Sequence, residues 1–264
     1  MSKRLRGLGW LAVTPAVALI VGCGSGEGSA ADAAQQGQAD ASPPDARTTD
    51  ARPAQLGCIT SPPSPGPQIS VSGVTKNILD DESVPDVTLQ AFRTSDDGLE
   101  VTETSASDGV FDLRIATGGS AWNGYIVGSA SDHADTYVYL PDLREDFMDV
   151  DLPVLTETQL RVVSALAGVS LDESKGLIVV YALDCDKEGV ESARISFSPQ
   201  PEVRAYLNGE NPDTQATSTD ISGSAFALNA PAGDVDITVE FAGETFQRTV
   251  KSVAGALTIA VVFP

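Results

Sequence analysis

The chain has 264 residues, with 37 acidic against 16 basic side chains, a formal net charge of -21 and one histidine. So acidic a surface repels nucleic-acid phosphates and anionic lipid headgroups, which excludes both as direct partners of the folded part. A single histidine removes most histidine-based catalysis and His-rich metal chemistry, and the length allows one large or two small domains.

Met1 to Gly9 carries Lys3, Arg4 and Arg6 and no acid, and Trp10 to Val21 is an apolar run. That run is too short to cross a bilayer and suits the core of a signal peptide. It ends in Ile20-Val21-Gly22-Cys23, which resembles a bacterial lipobox. The resemblance implies cleavage after Gly22, a thioether-linked diacylglycerol on the Cys23 sulfur and an acylated amino group. Several acyl chains on one cysteine hold a protein on a membrane effectively permanently. By the same resemblance, Gly24 rather than aspartate after the cysteine implies the outer membrane of a Gram-negative bacterium.

Residues 1–22 are therefore read as a signal peptide and 23–67 as a tether. Gly24 to Pro67 is Gly, Ser, Ala, Asp, Gln and Pro with almost no large apolar side chain. It cannot bury enough surface to offset its ordering entropy, so disorder is expected. Cys58 near its end and Cys185 are the cysteines left once Cys23 is lipidated, and two thiols in an exported chain suggest a disulfide.

Residues 68–152 read as a first β-module. Ile69–Val74, Val84–Phe92, Val101–Thr104, Gly109–Gly118, Trp122–Gly128 and Thr136–Leu140 read as short strands, with turn signals such as Ser95-Asp-Asp-Gly98 between them. Gly109-Val-Phe111-Asp-Leu113-Arg-Ile115-Ala-Thr-Gly118 alternates apolar and other residues, as a strand with one buried face does. It recurs as Ser224-Ala-Phe226-Ala-Leu228-Asn-Ala230-Pro-Ala-Gly233, aligned on Phe111 and Phe226.

The pattern Ser72-Gly73-Val74, Val84-Pro-Asp-Val87-Thr-Leu89, Thr104, Asp108-Gly109, Phe111, Leu113 resembles the carboxypeptidase-regulatory-like domain. That is a transthyretin-like (prealbumin) sandwich related to Cna B-type modules. Gly124-Tyr125 and Asp135-Thr136-Tyr137 are similar to members from predatory or social deltaproteobacteria. The resemblance implies a Greek-key sandwich acting as an accessory or display module, without a peptidase unit. Cna B-type modules can carry a Lys–Asn isopeptide. Lys76 lies near the first strand, but no asparagine falls in the last strand of its module.

Residues 141–154 read as acidic and irregular. Glu145, Asp146, Asp149 and Asp151 lack calcium-loop spacing and are expected to be a solvated edge. In 153–173, Leu160, Val163 and Leu166/Ala167 recur at helical spacing, with Thr156 or Thr158 as cap and Gly168 as stop. Residues 174–264 form the second module. Leu177–Leu183 is continuously apolar, as for a strand buried on both faces. Val190-Glu-Ser-Ala193-Arg-Ile195-Ser-Phe197 matches Val84–Ala91, and an insertion centred on Leu207–Asp213 separates it from the repeated strand. Val235–Phe241, Phe246–Val250 and Leu257–Phe263 complete the module, with Ala242-Gly-Glu244 as a hairpin.

The expected fold is all-β, two antiparallel Greek-key (prealbumin-like) β-sandwiches joined by a short helix. His133, in Ser131-Asp-His-Ala-Asp135, has no second histidine or cysteine pair for a metal site and reads as a loop residue. Trp122, Tyr125, Tyr137 and Tyr139 either fill the core or stack on sugars. No catalytic motif, cofactor or metal is expected. The expected role is structural or adhesive display at the cell envelope, with polysaccharide binding as the alternative. The expected partners are the membrane, through the lipid, and an envelope protein or polysaccharide.

Overall fold

The computed structural model describes residues 62–209 and 211–263. The signal peptide, Cys23, Cys58 and most of the tether lie outside the described residues. The first half contains β1 (Gln68–Asn77), β2 (Glu82–Ser83), β3 (Thr88–Arg93), β4 (Leu99–Thr104), β5 (Val110–Ala116), β6 (Gly124–Ser129), β7 (Thr136–Tyr139) and β8 (Phe147–Pro153). Helix α1 (Glu157–Leu166) follows. The second half contains β9 (Gly176–Ala182), β10 (Arg194–Ser198), β11 (Val203–Asn208), β12 (Asn211–Asp213), β13 (Ser224–Ala230), β14 (Gly233–Phe241), β15 (Glu244–Ser252) and β16 (Leu257–Val262).

The first half pairs β1 with β5 on one side and β8 on the other, and stacks this sheet on β4-β3-β6-β7. The second repeats the plan: β9 lies between β13 and β16, facing a β10-β14-β15 sheet. Both first strands run parallel to the last strand of their half, which departs from the all-antiparallel expectation. One strand has changed sheets. β4 pairs β3, whereas β11 leaves β10 and pairs β13, carrying the inserted β12 arm with it.

The expectation of two separate sandwiches needs correcting at their junction. β7 and β16 pair in parallel, Leu257 opposite Thr136 through Ala260 opposite Tyr139. Nine strands thereby form one sheet in the order β12-β11-β13-β9-β16-β7-β6-β3-β4. A lone first half would leave β7 as an open edge with unpaired backbone groups, and β16 covers it. The buried apolar clusters follow the shared sheet. One contains Ile69, Leu89, Phe111, Leu113 and Ile126 from the first half and Leu177, Val179, Leu228, Leu257 and Ile259 from the second. The other, under the second half, includes Ile178, Val180, Ala225, Ala227, Val235 and Ile237 and reaches Tyr125 and Tyr139.

This explains the continuous apolar run of β9. Ile178 and Val180 face the second sandwich, while Leu177 and Val179 face α1 and the first core. Helix α1 closes that face with Leu160, Val163 and Ala167. Of the two caps read from sequence the structure uses Thr156, in a capping box: Thr156 accepts from Gln159 N, and the Gln159 side chain accepts from Thr156 N. The chain stops being helical at Ala167, and Gly168 follows at φ +74.

Two local readings are also corrected. Residues 141–154 are not irregular, because Phe147–Pro153 is a strand. The carboxylates of Asp149 and Asp151 obscured an alternation that buries Val150 and Leu152. The aligned phenylalanines are one residue out of step. Phe111 lies inside the first sandwich, but Phe226 packs against that same first core from across the shared sheet, and its neighbours Ala225 and Ala227 fill the second. The true correspondence is set by buried hydroxyls. Ser105 Oγ accepts from Val87 N while Ser105 N donates to Val87 O. Thr219 repeats this with Ala193, and its hydroxyl also donates to Val190 O. Counted from these residues, Gly109 matches Gly223, both at positive φ, and Phe111 matches Ala225.

A core common to both halves predicts one cooperative thermal transition, with calorimetric and van't Hoff enthalpies equal. A 62–155 fragment, stripped of β16 and nearly a third of the buried residues of its cluster, is expected to show no cooperative melt by near-UV circular dichroism. Gly73 sits where β1 bulges against β8, and an added Cβ would lie 1.9 Å from Val150 O. Gly73→Ala is therefore expected to cost about 1–3 kcal/mol in urea titration, as overpacking does.

Candidate functional site

The densest convergence of aromatic and charged groups among the described residues lies along the seam, where β15 crosses the β7/β16 junction. Tyr125 and Tyr139 are cross-strand partners on β6 and β7, and their rings stack with centroids 4.8 Å apart. Phe92 on β3 stacks on Tyr125 at 5.3 Å, and Tyr137 lies 6.3 Å from it at a tilt. These rings share a face because β-strand side chains alternate. The second half supplies the cations. Lys251 Nζ stands 5.9 Å from the centre of the Tyr125 ring, and the Arg248 guanidinium 5.8 Å from that of Tyr139.

Three polar links cross between the halves here. Asp97, in the β3–β4 turn, accepts from Lys251 Nζ at 2.5 Å and from the Tyr125 hydroxyl at 3.0 Å. Lys251 N donates to the Tyr139 hydroxyl at 3.1 Å. Arg248 donates to Val261 O at 3.0 Å and to Leu140 O. Leu140 and Val261 directly follow the last β7–β16 pair, so one guanidinium holds a carbonyl from each half where the ladder ends. Its planar fork of donors suits this double capture; an ammonium offers only one point.

The environment shifts each group predictably. Hydrogen bonds from Lys251 and then Tyr125 lower the Asp97 pKa, and burial acts weakly against them. Burial pushes the Tyr139 phenol up to about 12, and burial followed by the Asp97 hydrogen bond raises that of Tyr125 further. Burial lowers Arg248 to about 10, so it remains charged at neutral pH.

The residues singled out from sequence scatter around this seam. Trp122 is 3% exposed, on the opposite face of the sheet from Tyr125, and donates from Nε1 to Glu100 at 2.6 Å. With Tyr125 at 5% and Tyr139 at 1%, three of the four candidate stacking rings have covered faces; Tyr137 is half-buried. His133 is half-buried, and its Nδ1 lies 2.7 Å from Ser131 O, within its own loop. Lys76 meets Asp81 at 3.2 Å and Asp151 at 3.4 Å in partly exposed ion pairs. Asp146 accepts from Ser70 N at 2.8 Å. Among the described residues, no group of three or more His, Cys, Asp or Glu side chains is placed to hold a metal ion. Cys185 lies in the turn after β9.

Sequence reasoning passed over Asp97, Arg248 and Lys251. A signal existed for Arg248: it shares strand parity with Phe246 and Val250, so a cation sat on an inward-facing position. Elsewhere, Asn229 at φ +53 is buried at the β13 bulge and ties down the segment after α1. Its Oδ1 accepts from Asp172 N, and its Nδ2 donates to Ser170 O and Glu202.

No family model matches the chain, and no curated protein matches it. Solved structures overlap it loosely. The Bacillus anthracis TIE protein aligns at 11% identity and TM-score 0.27, covering 74% of this chain and 33% of that one. A streptococcal ancillary pilin aligns at 10% identity and TM-score 0.26, covering 75% and 62%. The shaft pilin SpaA from Lactobacillus rhamnosus GG aligns at 8% identity and TM-score 0.23, covering 75% and 97%. The chain thus spans a third of the TIE protein and under two thirds of the ancillary pilin. Overlaps this loose decide nothing by themselves, and the architecture stands on its own strand pairings.

Arg248→Met is expected to lower stability by roughly 2–4 kcal/mol in urea titration, because two part-buried carbonyls lose a charged donor. Arg248→Lys should recover only part of this. Folding raises the Tyr139 pKa, so its stabilising contribution is complete below pH 10 and is lost as pH rises through about 12. Arg248 acts oppositely, since its lowered pKa makes the folded chain bind fewer protons above about pH 10. The difference in melting temperature between wild type and Tyr139→Phe isolates the tyrosine: it should shrink between pH 10 and 12.

Proposed function

We propose that this chain is a non-catalytic cell-envelope lipoprotein. Lipid on Cys23 holds it to the outer membrane, the polar segment to Pro67 spaces it from the bilayer, and the fused sandwiches are displayed for structural or adhesive contact. In this reading both halves are carboxypeptidase-regulatory-like modules of the transthyretin-like, Cna B-type kind. The observation that carries it is the nine-stranded sheet closed at its seam by Arg248 and Lys251. Such a sheet makes two modules one stiff body, which is what a display element needs and what a hinged binding pair lacks. The lipid anchor rests on the lipobox resemblance together with the charge and length of the apolar run. The partner is an envelope protein or a surface polysaccharide. The covered faces of Trp122, Tyr125 and Tyr139 favour protein contact over sugar stacking.

The test is fractionation of cells producing the full chain and its Cys23→Ser variant. The wild type is expected in the outer-membrane fraction, labelled by a radioactive fatty acid; the variant should lose the label and leave that fraction. A wild-type chain without label, recovered in the soluble fraction, ends the lipoprotein reading. A purified 23–264 chain that captures no envelope component from detergent-solubilised membranes, while binding glycans on an array, transfers the role to polysaccharide recognition.

A further inference from the structure

β5 ends its sheet, and no strand pairs with its outer edge among the described residues. The duplicated plan shows what such an edge accepts. By the match of Phe111 with Ala225, residues 111–114 correspond to residues 225–228 of β13. There β11 runs antiparallel across them, Tyr206 opposite Ala225 through Val203 opposite Leu228. In the first half β4 stays in the facing sheet, so the same edge is bare. It is also regular, since β5 pairs β1 from Val110 to Ala116 without a bulge. Thr75 N donates to Gly109 O and Thr117 N to Pro67 O, so the odd-numbered residues of β5 turn their backbone groups toward β1. Asp112, Arg114 and Ala116 therefore point theirs outward.

Other edge strands are protected or carry no code. β2 and β12 are two and three residues long. β4 bears Glu100, Glu103 and a register shift, and β8 a register shift and Asp149 at φ +62. On β10 the Tyr206 hydroxyl occupies Ile195 N and O. The free part of β15 offers neutral Thr245, Gln247 and Thr249, which fix no register. β5 differs, because its outer face carries a charge pair: the Asp112 side chain is 44% exposed and that of Arg114 71%. We infer that β5 pairs antiparallel with β5 of a second copy about a two-fold axis at Leu113, with Asp112 of each chain opposite Arg114 of the other. Opposite charges then face each other across the join, and Val110, 48% exposed, meets Ala116 of the second copy. A slip of two residues sets Asp112 against Asp112 or Arg114 against Arg114, and parallel pairing in register does both, so the charges select one arrangement. The join makes one sheet of two first halves, and it depends on neither the lipid nor the display reading.

The experiment uses the purified 23–264 chain with Cys23→Ser, under reductant so that no disulfide joins two molecules. One strand edge buries less than the roughly 1,200 Å² of a standard interface, so sedimentation equilibrium should show a weak, concentration-dependent dimer. Asp112→Arg and Arg114→Asp should each raise the dissociation constant about tenfold or more, since each sets like charges opposite one another on both sides of the axis. The two variants mixed should associate one to one, because the mixed pair restores opposite charges at both contacts. The double variant Asp112→Arg/Arg114→Asp should recover the wild-type constant to within about threefold. Amide exchange at Asp112 and Arg114 should slow as concentration rises. A chain that stays monomeric up to about 1 mM, a dimer indifferent to both reversals, or single variants that remain apart when mixed would each overturn the proposal. All three leave the fatty-acid labelling of Cys23 in the full chain unaffected, so a failed dimer is distinguishable from a failed lipoprotein.

Discussion

The parallel pairing of β7 with β16 is the constraint on which the rest of the architecture depends. It converts two edges into interior strands and merges two sandwiches into one sheet. An open β-edge invites pairing with other chains, and here each half supplies the other's cover. Once the sheet is continuous, its two faces must both be roofed. The β1-β5-β8 sheet and α1 cover one face, and the β10-β14-β15 sheet covers much of the other. Parallel strands are commonly buried on both faces, which accounts for the unbroken apolar character of β9 and for that of β16 apart from Thr258, whose hydroxyl donates to Lys251 O.

The seam also organises the chemistry. Aromatic rings from the first half and cations from the second meet where that roof overlaps the junction. Arg248 is partly desolvated, which is costly unless its donors are matched. Its carbonyl partners come one from each half, so the cost is offset only when the halves are docked. That makes the pairing specific as well as stable.

The internal repeat shows how a duplicated plan diverges. The hydroxyl clasps of Ser105 and Thr219 and the left-handed glycines after them keep the same geometry in both halves. What changed is the strand between. In the second half β11 joins the other sheet, and the backbone of β10 that it abandoned is served by side chains: the Tyr206 hydroxyl accepts from Ile195 N and donates to Ile195 O. Buried backbone groups must find partners, and a phenol can stand in for a missing strand.

Much was legible in the order of residues. Period-two alternation located β1, β3, β5 and β14, because one-sided burial leaves that trace directly. Thr156 or Thr158 marked the start of α1, since a cap is a local hydrogen bond, and Ala242-Gly-Glu244 marked a hairpin, which the structure builds with Ala242 and Gly243 at positive φ. Other features were decided only in three dimensions. β8 was hidden because its outward residues are acids, and acid content reads as loop until a partner strand is known. The match of Phe111 to Phe226 was a sequence coincidence, because similarity does not say which face of a sheet a side chain takes, and a one-residue shift reverses it. The seam itself could not be foreseen. The β7/β16 pairing joins segments more than a hundred residues apart, and no local propensity encodes which two edges will meet; that choice belongs to the shape and charge of the assembled halves.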